Sequence, residues 1–136
     1  MNVRNLFASG ALLAGLALPI SLVAAPNPAW THPFAPFRIA GNLYYVGSED
    51  LASYLVATPN GLILINSSLD ASVPLIRKSV ETLGFNFRDI KILLISHAHY
   101  DHDAGSARIL KLTGAKYDVM DADVSVVETG GRTDFS

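Results

Sequence analysis

The stretch His97-Ala98-His99-Tyr100-Asp101-His102 constrains this chain more than any other. It follows directly on the aliphatic run Ile92-Leu93-Leu94-Ile95, so a buried strand delivers three histidines and an aspartate into one loop. Three of the protein's four histidines lie here. In extended backbone, residues two apart point to the same side, so His97, His99 and Asp101 can converge on one volume. His102 breaks the alternation and serves a neighbouring position. Imidazole and carboxylate together suit zinc, and no thiolate competes, because the chain has no cysteine. The plainer reading is a solvated loop whose Asp–His pair caps a helix. Four metal-capable side chains at ligand spacing within six positions argue against it.

The pattern resembles the H-x-H-x-D-H signature of the metallo-β-lactamase fold, whose members are mostly binuclear zinc hydrolases. Its surroundings narrow the resemblance. Trp30-Thr31, Ala35-Pro36-Phe37-Arg38-Ile39-Ala40, Asn42-Leu43-Tyr44-Tyr45-Val46-Gly47 and Leu51-Ala52-Ser53-Tyr54-Leu55-Val56 are similar to the amino-terminal half of class B β-lactamases. His102 points to the third subclass, since the first has Arg there and the second has Asn in place of the first His. The resemblance runs from about Trp30 to the last residue.

Several expectations come with it. The fold is α/β, the amino-terminal half of an αββα sandwich in which two similar sheets pack face to face with helices outside. Zinc is the implied cofactor, two ions per complete domain, with His97 and His99 on the first and Asp101 and His102 on the second. The implied partner is a small-molecule β-lactam. A hydroxide shared by the two ions attacks the lactam carbonyl; one metal polarises that carbonyl and the other stabilises the departing nitrogen. Asp101 is the catalytic residue of the set, because it helps hold the hydroxide. Ser96 then needs no nucleophilic role and reads as a strand-end hydrogen bonder, and Tyr100 as packing.

Each metal in this family takes one further histidine from the second half of the fold, and no histidine follows His102. The chain is therefore expected to be the amino-terminal fragment of a longer enzyme, inactive alone. Two other readings stay open: a different binuclear zinc hydrolase of the same fold, acting on thioesters or lactones, or an inactive truncated product. The leading segment and the flanking blocks favour the lactamase.

That leading segment carries Arg4, an apolar stretch from Leu6 to Val23, and small residues at Ala24-Ala25. Residues 1–24 read as a secretory signal peptide, which places the mature protein in the periplasm or outside the cell, without stable membrane association after cleavage. Pro19 and the short apolar span argue against an uncleaved anchor. A net charge of −2 and a pI near 6.0, with no basic stripe, count against a nucleic-acid partner. The sequence carries no signal of oligomeric state.

Residues 25–36 form an irregular arm, since four prolines between Pro26 and Pro36 forbid regular structure. Its His32 reads as a surface residue and its Trp30 as a packing anchor. The partial domain occupies 37–136. Strands are expected at Phe37–Ala40, Leu43–Val46, Ala52–Ala57 and Leu62–Ile65, the last without polar alternation and so buried on both faces. Asn66 then stands where many members of the fold place an Asp that supports the metal loop. A helix capped by Asp70 or Ser72 carries Ile76, Val80 and Leu83 on one face and stops at Gly84. The strand Ile90–Ser96 presents the metal loop. Asp103 is expected to cap a helix over Ala104–Leu112, in which Gly105 allows close backbone approach and which Gly114 closes. A strand at Tyr117–Met120 and a short acidic helix at Asp121–Glu128 follow.

Overall fold

The computed structural model describes residues 27–134; the expected signal peptide lies outside the described residues. The arm is irregular, as its prolines dictate. It opens with a 3-10 turn at Pro28–Trp30 and joins the domain through a bridge between Pro33 and Ser48 and through backbone bonds from Glu49 N–H to His32 O and from Asp50 N–H to Ala29 O. Trp30 anchors it, donating from its indole Nε1 to Asp50 Oδ2 at 3.1 Å. His32 is an exposed surface residue that faces Glu49 at 2.9 Å.

Among the described residues, six strands form one sheet, in spatial order equal to chain order. Strands β1 (Phe37–Ala40), β2 (Leu43–Tyr45), β3 (Tyr54–Thr58) and β4 (Gly61–Ile65) make an antiparallel meander. Helix α1 (Val73–Thr82) then crosses to β5 (Ile90–Leu94), which runs parallel to β4. A short helical turn, α2 (Tyr100–Asp103), and helix α3 (Ser106–Thr113) lead to β6 (Lys116–Asp118), parallel to β5. Helix α4 (Val124–Glu128) closes the order. Gly84 and Gly114 take left-handed backbone (φ +87° and +70°) just past α1 and α3, as helix-ending glycines do. The mixed sheet with its helices is the α/β architecture expected, and strand bounds fall within a residue or two of the pattern.

The core shows why these periodicities matter. Leu55, Leu64 and Leu93 lie side by side across β3, β4 and β5, each fully buried. Ile76 and Val80 of α1, Ile109 of α3, and Phe87 join them in one cluster. Each such side chain contributes about 1.5–3 kcal/mol by leaving water. The opposite face carries Tyr54, Val56, Ile63, Ile65, Ile92 and Leu94, all half-exposed. The run Leu62–Ile65 is thus buried on one face, not on both: Leu62 and Leu64 point to the helices, while Ile63 and Ile65 point to a side that no described layer covers.

Two helix starts also differ from expectation. Neither Asp70 nor Ser72 caps α1 with its side chain, because a 3-10 turn at Asp70–Ser72 feeds directly into the helix. Ser72 Oγ donates instead to the Trp30 carbonyl, and Asp70 faces Arg108. Asp103 does not cap α3 either. It ends α2, Gly105 takes the cap position, and the helix begins at Ser106.

Candidate metal centre

Because β4 and β5 are adjacent and parallel, their carboxyl ends open on the same edge of the sheet, where loops of α/β folds gather ligands. The loop leaving β4 is Asn66-Ser67-Ser68, all buried, with left-handed backbone at Asn66 (φ +63°) and Ser68 (φ +52°). This costs about 1–3 kcal/mol per residue, less for Asn, and persists because partners hold it. The Ser67 and Ser68 N–H groups donate to the His102 carbonyl at 2.9 and 3.2 Å, and Gly105 N–H donates to Ser68 O at 2.8 Å. A Cβ on Gly105 would lie 2.6 Å from Ser67 O, which is why this approach needs glycine.

The loop leaving β5 carries the histidines. It bends at Ser96 and His97, is extended at His99 (φ −79°, ψ 145°) and then turns helical through α2. Strict alternation therefore stops before Asp101, and the predicted grouping changes. The His97 ring lies 4.7 Å from the His99 ring and 4.2 Å from the His102 ring, centroid to centroid. Asp101 Oδ2 lies 3.5 Å from His102 Nε2. His102 thus joins the cluster that alternation alone would have placed it beside, and Asp101 reaches the cluster through it. His99 Nε2 also faces Asp134 Oδ1 at 3.6 Å, a neighbour with no signal in the local sequence.

Further groups orient the rings. Ser96 Oγ sits 3.1 Å from His97 Nδ1, the strand-end role expected for it. Asn66 Nδ2 lies 3.1 Å from His102 Nδ1, while Asn66 Oδ1 accepts the Ser96 N–H at 3.0 Å. Below them, Tyr117 Oη donates to both oxygens of Asp103, at 2.7 and 2.8 Å, and Ser106 Oγ donates to the same carboxylate. Ser106 Oγ is also 2.9 Å from Ser67 Oγ, so β6, α3 and the β4 loop share one polar network. Burial, then the hydrogen bond to Asp103, holds the Tyr117 phenol well above its ordinary range. Sequence reasoning missed Asp103, Tyr117 and Ser106 as supports, because their meeting depends on α3 crossing from β5 to β6. Tyr100 is exposed but sets its ring edge-on to Trp30, at 6.0 Å.

Burial lowers the His102 pKa, His97 and His99 lower it further, and Asp101 opposes them. The direction of this shift favours the neutral imidazole. Three imidazoles, one carboxylate and no thiolate are donors of the kind zinc takes. Among the described residues, however, no three His, Asp or Glu side chains are disposed as ligands around one point, and the rings pack on one another. A cleft of about 340 Å³ between α2 and α4 borders Tyr100 and Asp103, but none of the three clustered histidines lines it.

The sequence matches the metallo-beta-lactamase superfamily over residues 50–133. The fold is similar to native FEZ-1 metallo-beta-lactamase from Legionella gormanii, with 66% identity and a TM-score of 0.76, over 77% of this chain and 40% of that one. It is similar to the metallo-beta-lactamase GOB-18 from Elizabethkingia meningoseptica, with 47% identity and a TM-score of 0.79, over 85% and 43%. It is also similar to the class B3 di-zinc metallo-beta-lactamase LRA-12 from an Alaskan soil metagenome, with 46% identity and a TM-score of 0.80, over 84% and 43%. The chain spans less than half the length of each of these structures. With its mixed sheet, its H-x-H-x-D-H loop at the paired ends of β4 and β5, and this match over most of the described residues, the chain belongs to the metallo-beta-lactamase superfamily.

Proposed function

We propose that this chain supplies the amino-terminal part of a periplasmic or secreted zinc hydrolase that opens the β-lactam amide bond. His97 and His99 serve the first metal position, and Asp101 and His102 the second. The observation that carries the reading is the gathering of these four side chains at the ends of adjacent parallel strands, in a chain related to metallo-β-lactamases. Bound zinc would supply an activated water near neutral pH and polarise the substrate carbonyl. The chain's own residues do the positioning. Ser96 and Asn66 hold the rings of His97 and His102, and the Ser67 and Ser68 amides fix the His102 backbone. Asp101 brings the single formal negative charge among the four candidate ligands.

The 136-residue chain alone is expected to hydrolyse neither carbapenems nor cephalosporins, because each metal position would find only two of its ligands among His97, His99, Asp101 and His102. Chelator-sensitive turnover by the purified chain would refute that. In the complete protein, zinc content and lactam hydrolysis should be measured for five variants. His97→Ala and His99→Ala should each damage one metal position, Asp101→Ala and His102→Ala the other, with Asp101→Ala the most costly. His32→Ala, on the exposed arm, should leave both readouts unchanged. Two bound zincs with normal turnover in Asp101→Ala, or zinc lost from His32→Ala, would overturn the assignment. Export predicts a mature amino terminus near Ala25 or Pro26, and periplasmic material retaining residues 1–23 would contradict it.

A further inference from the structure

Asn66 is buried, sits in left-handed backbone, and touches both strand ends. Its own N–H donates to Leu94 O at 2.9 Å. Its side chain has a forced polarity. The Ser96 backbone N–H, 3.0 Å away, can only donate, so the atom facing it must be the amide oxygen. The NH₂ group then faces His102 Nδ1 at 3.1 Å, and it too can only donate. His102 Nδ1 must therefore accept. A neutral imidazole that accepts at Nδ1 carries its proton on Nε2, which here points toward Asp101 at 3.5 Å.

We propose that Asn66 sets the tautomer of His102 and thereby restrains this side chain from taking a metal ion through Nε2. The inference rests on the reading of His102 as a ligand. For Nε2 to offer its lone pair, the ring proton must move to Nδ1, where it meets the NH₂ of Asn66. Turning the amide over relieves that clash only by setting the NH₂ against the Ser96 N–H. Either way a buried donor faces a donor, which is unfavourable. A carboxylate at this position has no such conflict: it accepts from Ser96 and from a protonated Nδ1 together, the pairing that orients many zinc-bound histidines. Asn66 is thus a positioning residue that tunes metal loading, and Asn66→Asp should release it.

The test combines two readouts on the 136-residue chain. Long-range proton–nitrogen NMR of histidine-labelled protein, without metal, reports the His102 tautomer. Wild type should show the proton on Nε2, and Asn66→Asp should show it on Nδ1. Zinc affinity, measured by competition with a chromophoric chelator, should rise about ten- to a hundredfold in Asn66→Asp. Asn66→Gly tolerates the backbone angle, removes the amide and adds no charge. Its affinity should equal or exceed wild type, whereas a merely structural role for Asn66 predicts a fall. A proton on Nδ1 in wild type, or the same tautomer in wild type and Asn66→Asp, would overturn the proposal. So would a tautomer switch that leaves zinc affinity unchanged. Zinc binding that is absent in every variant, or indifferent to His97→Ala and His102→Ala, would instead overturn the metal-centre reading beneath it.

Discussion

Gly105→Ala isolates the close approach on which the histidine loop depends. Gly105 has ordinary helical backbone (φ −82°), so any cost is steric rather than conformational. The added Cβ would lie 2.6 Å from Ser67 O, 2.9 Å from Val73 Cγ2 and 3.0 Å from Leu69 O. The Val73 methyl can turn aside, but the two carbonyls belong to the backbone. An ordinary carbon–oxygen contact is about 3.3 Å or more, so Ser67 must retreat by about 0.7 Å. That movement loosens the bonds from Ser67 and Ser68 N–H to the His102 carbonyl. Overpacking costs about 1–3 kcal/mol, and weakening buried hydrogen bonds adds about 1 kcal/mol. Alanine returns about 0.4–1 kcal/mol through the unfolded chain. The net expectation is a loss of about 2–3 kcal/mol, a large share of a typical domain's stability. Urea unfolding followed by circular dichroism should show the midpoint lowered by about 1–2 M at unchanged slope. In the histidine-labelled protein, His102 resonances should shift more than those of His32. A midpoint within about 0.2 M of wild type would show that the Ser67 loop yields freely, and the steric reasoning would fail.

Leu64→Ala should cost about 2–5 kcal/mol, and Ile63→Ala, on the half-exposed face of the same strand, clearly less. Equal losses in urea titrations would mean that the two faces are equally covered. Tyr117→Phe should cost about 1 kcal/mol near neutral pH, a hydrogen-bond loss discounted for partial exposure. The raised phenol pKa also has a pH signature: the folded state holds this proton more tightly, so its contribution is complete below 10.0 and is lost as pH rises beyond it. Wild type should therefore lose stability above pH 10.0 more steeply than the variant, and parallel profiles would remove Tyr117 as the cause.

The candidate site's donors stand together in the local sequence. His97, His99, Asp101 and His102 stand within six positions after an aliphatic run, and a strand that ends in a loop keeps such neighbours together whatever the rest of the chain does. The helix of Ile76 and Val80, and the glycines that end α1 and α3, were equally local, because periodicity and backbone permissiveness are properties of short segments. Which ring meets which was not local. Alternation grouped Asp101 with His97 and His99, but the helical turn at Tyr100–Asp103 swings His102 onto His97 and leaves Asp101 beside His102. The supports were less legible still. Asn66 reaches His102 across 36 positions and Tyr117 reaches Asp103 across 14, contacts that exist only because β4, β5 and β6 pair in parallel. Residue types along the chain determined which donor groups the loop carries. The tertiary structure alone decided how its donors are aimed, because a hydrogen bond's direction depends on groups that sequence distance does not bring together.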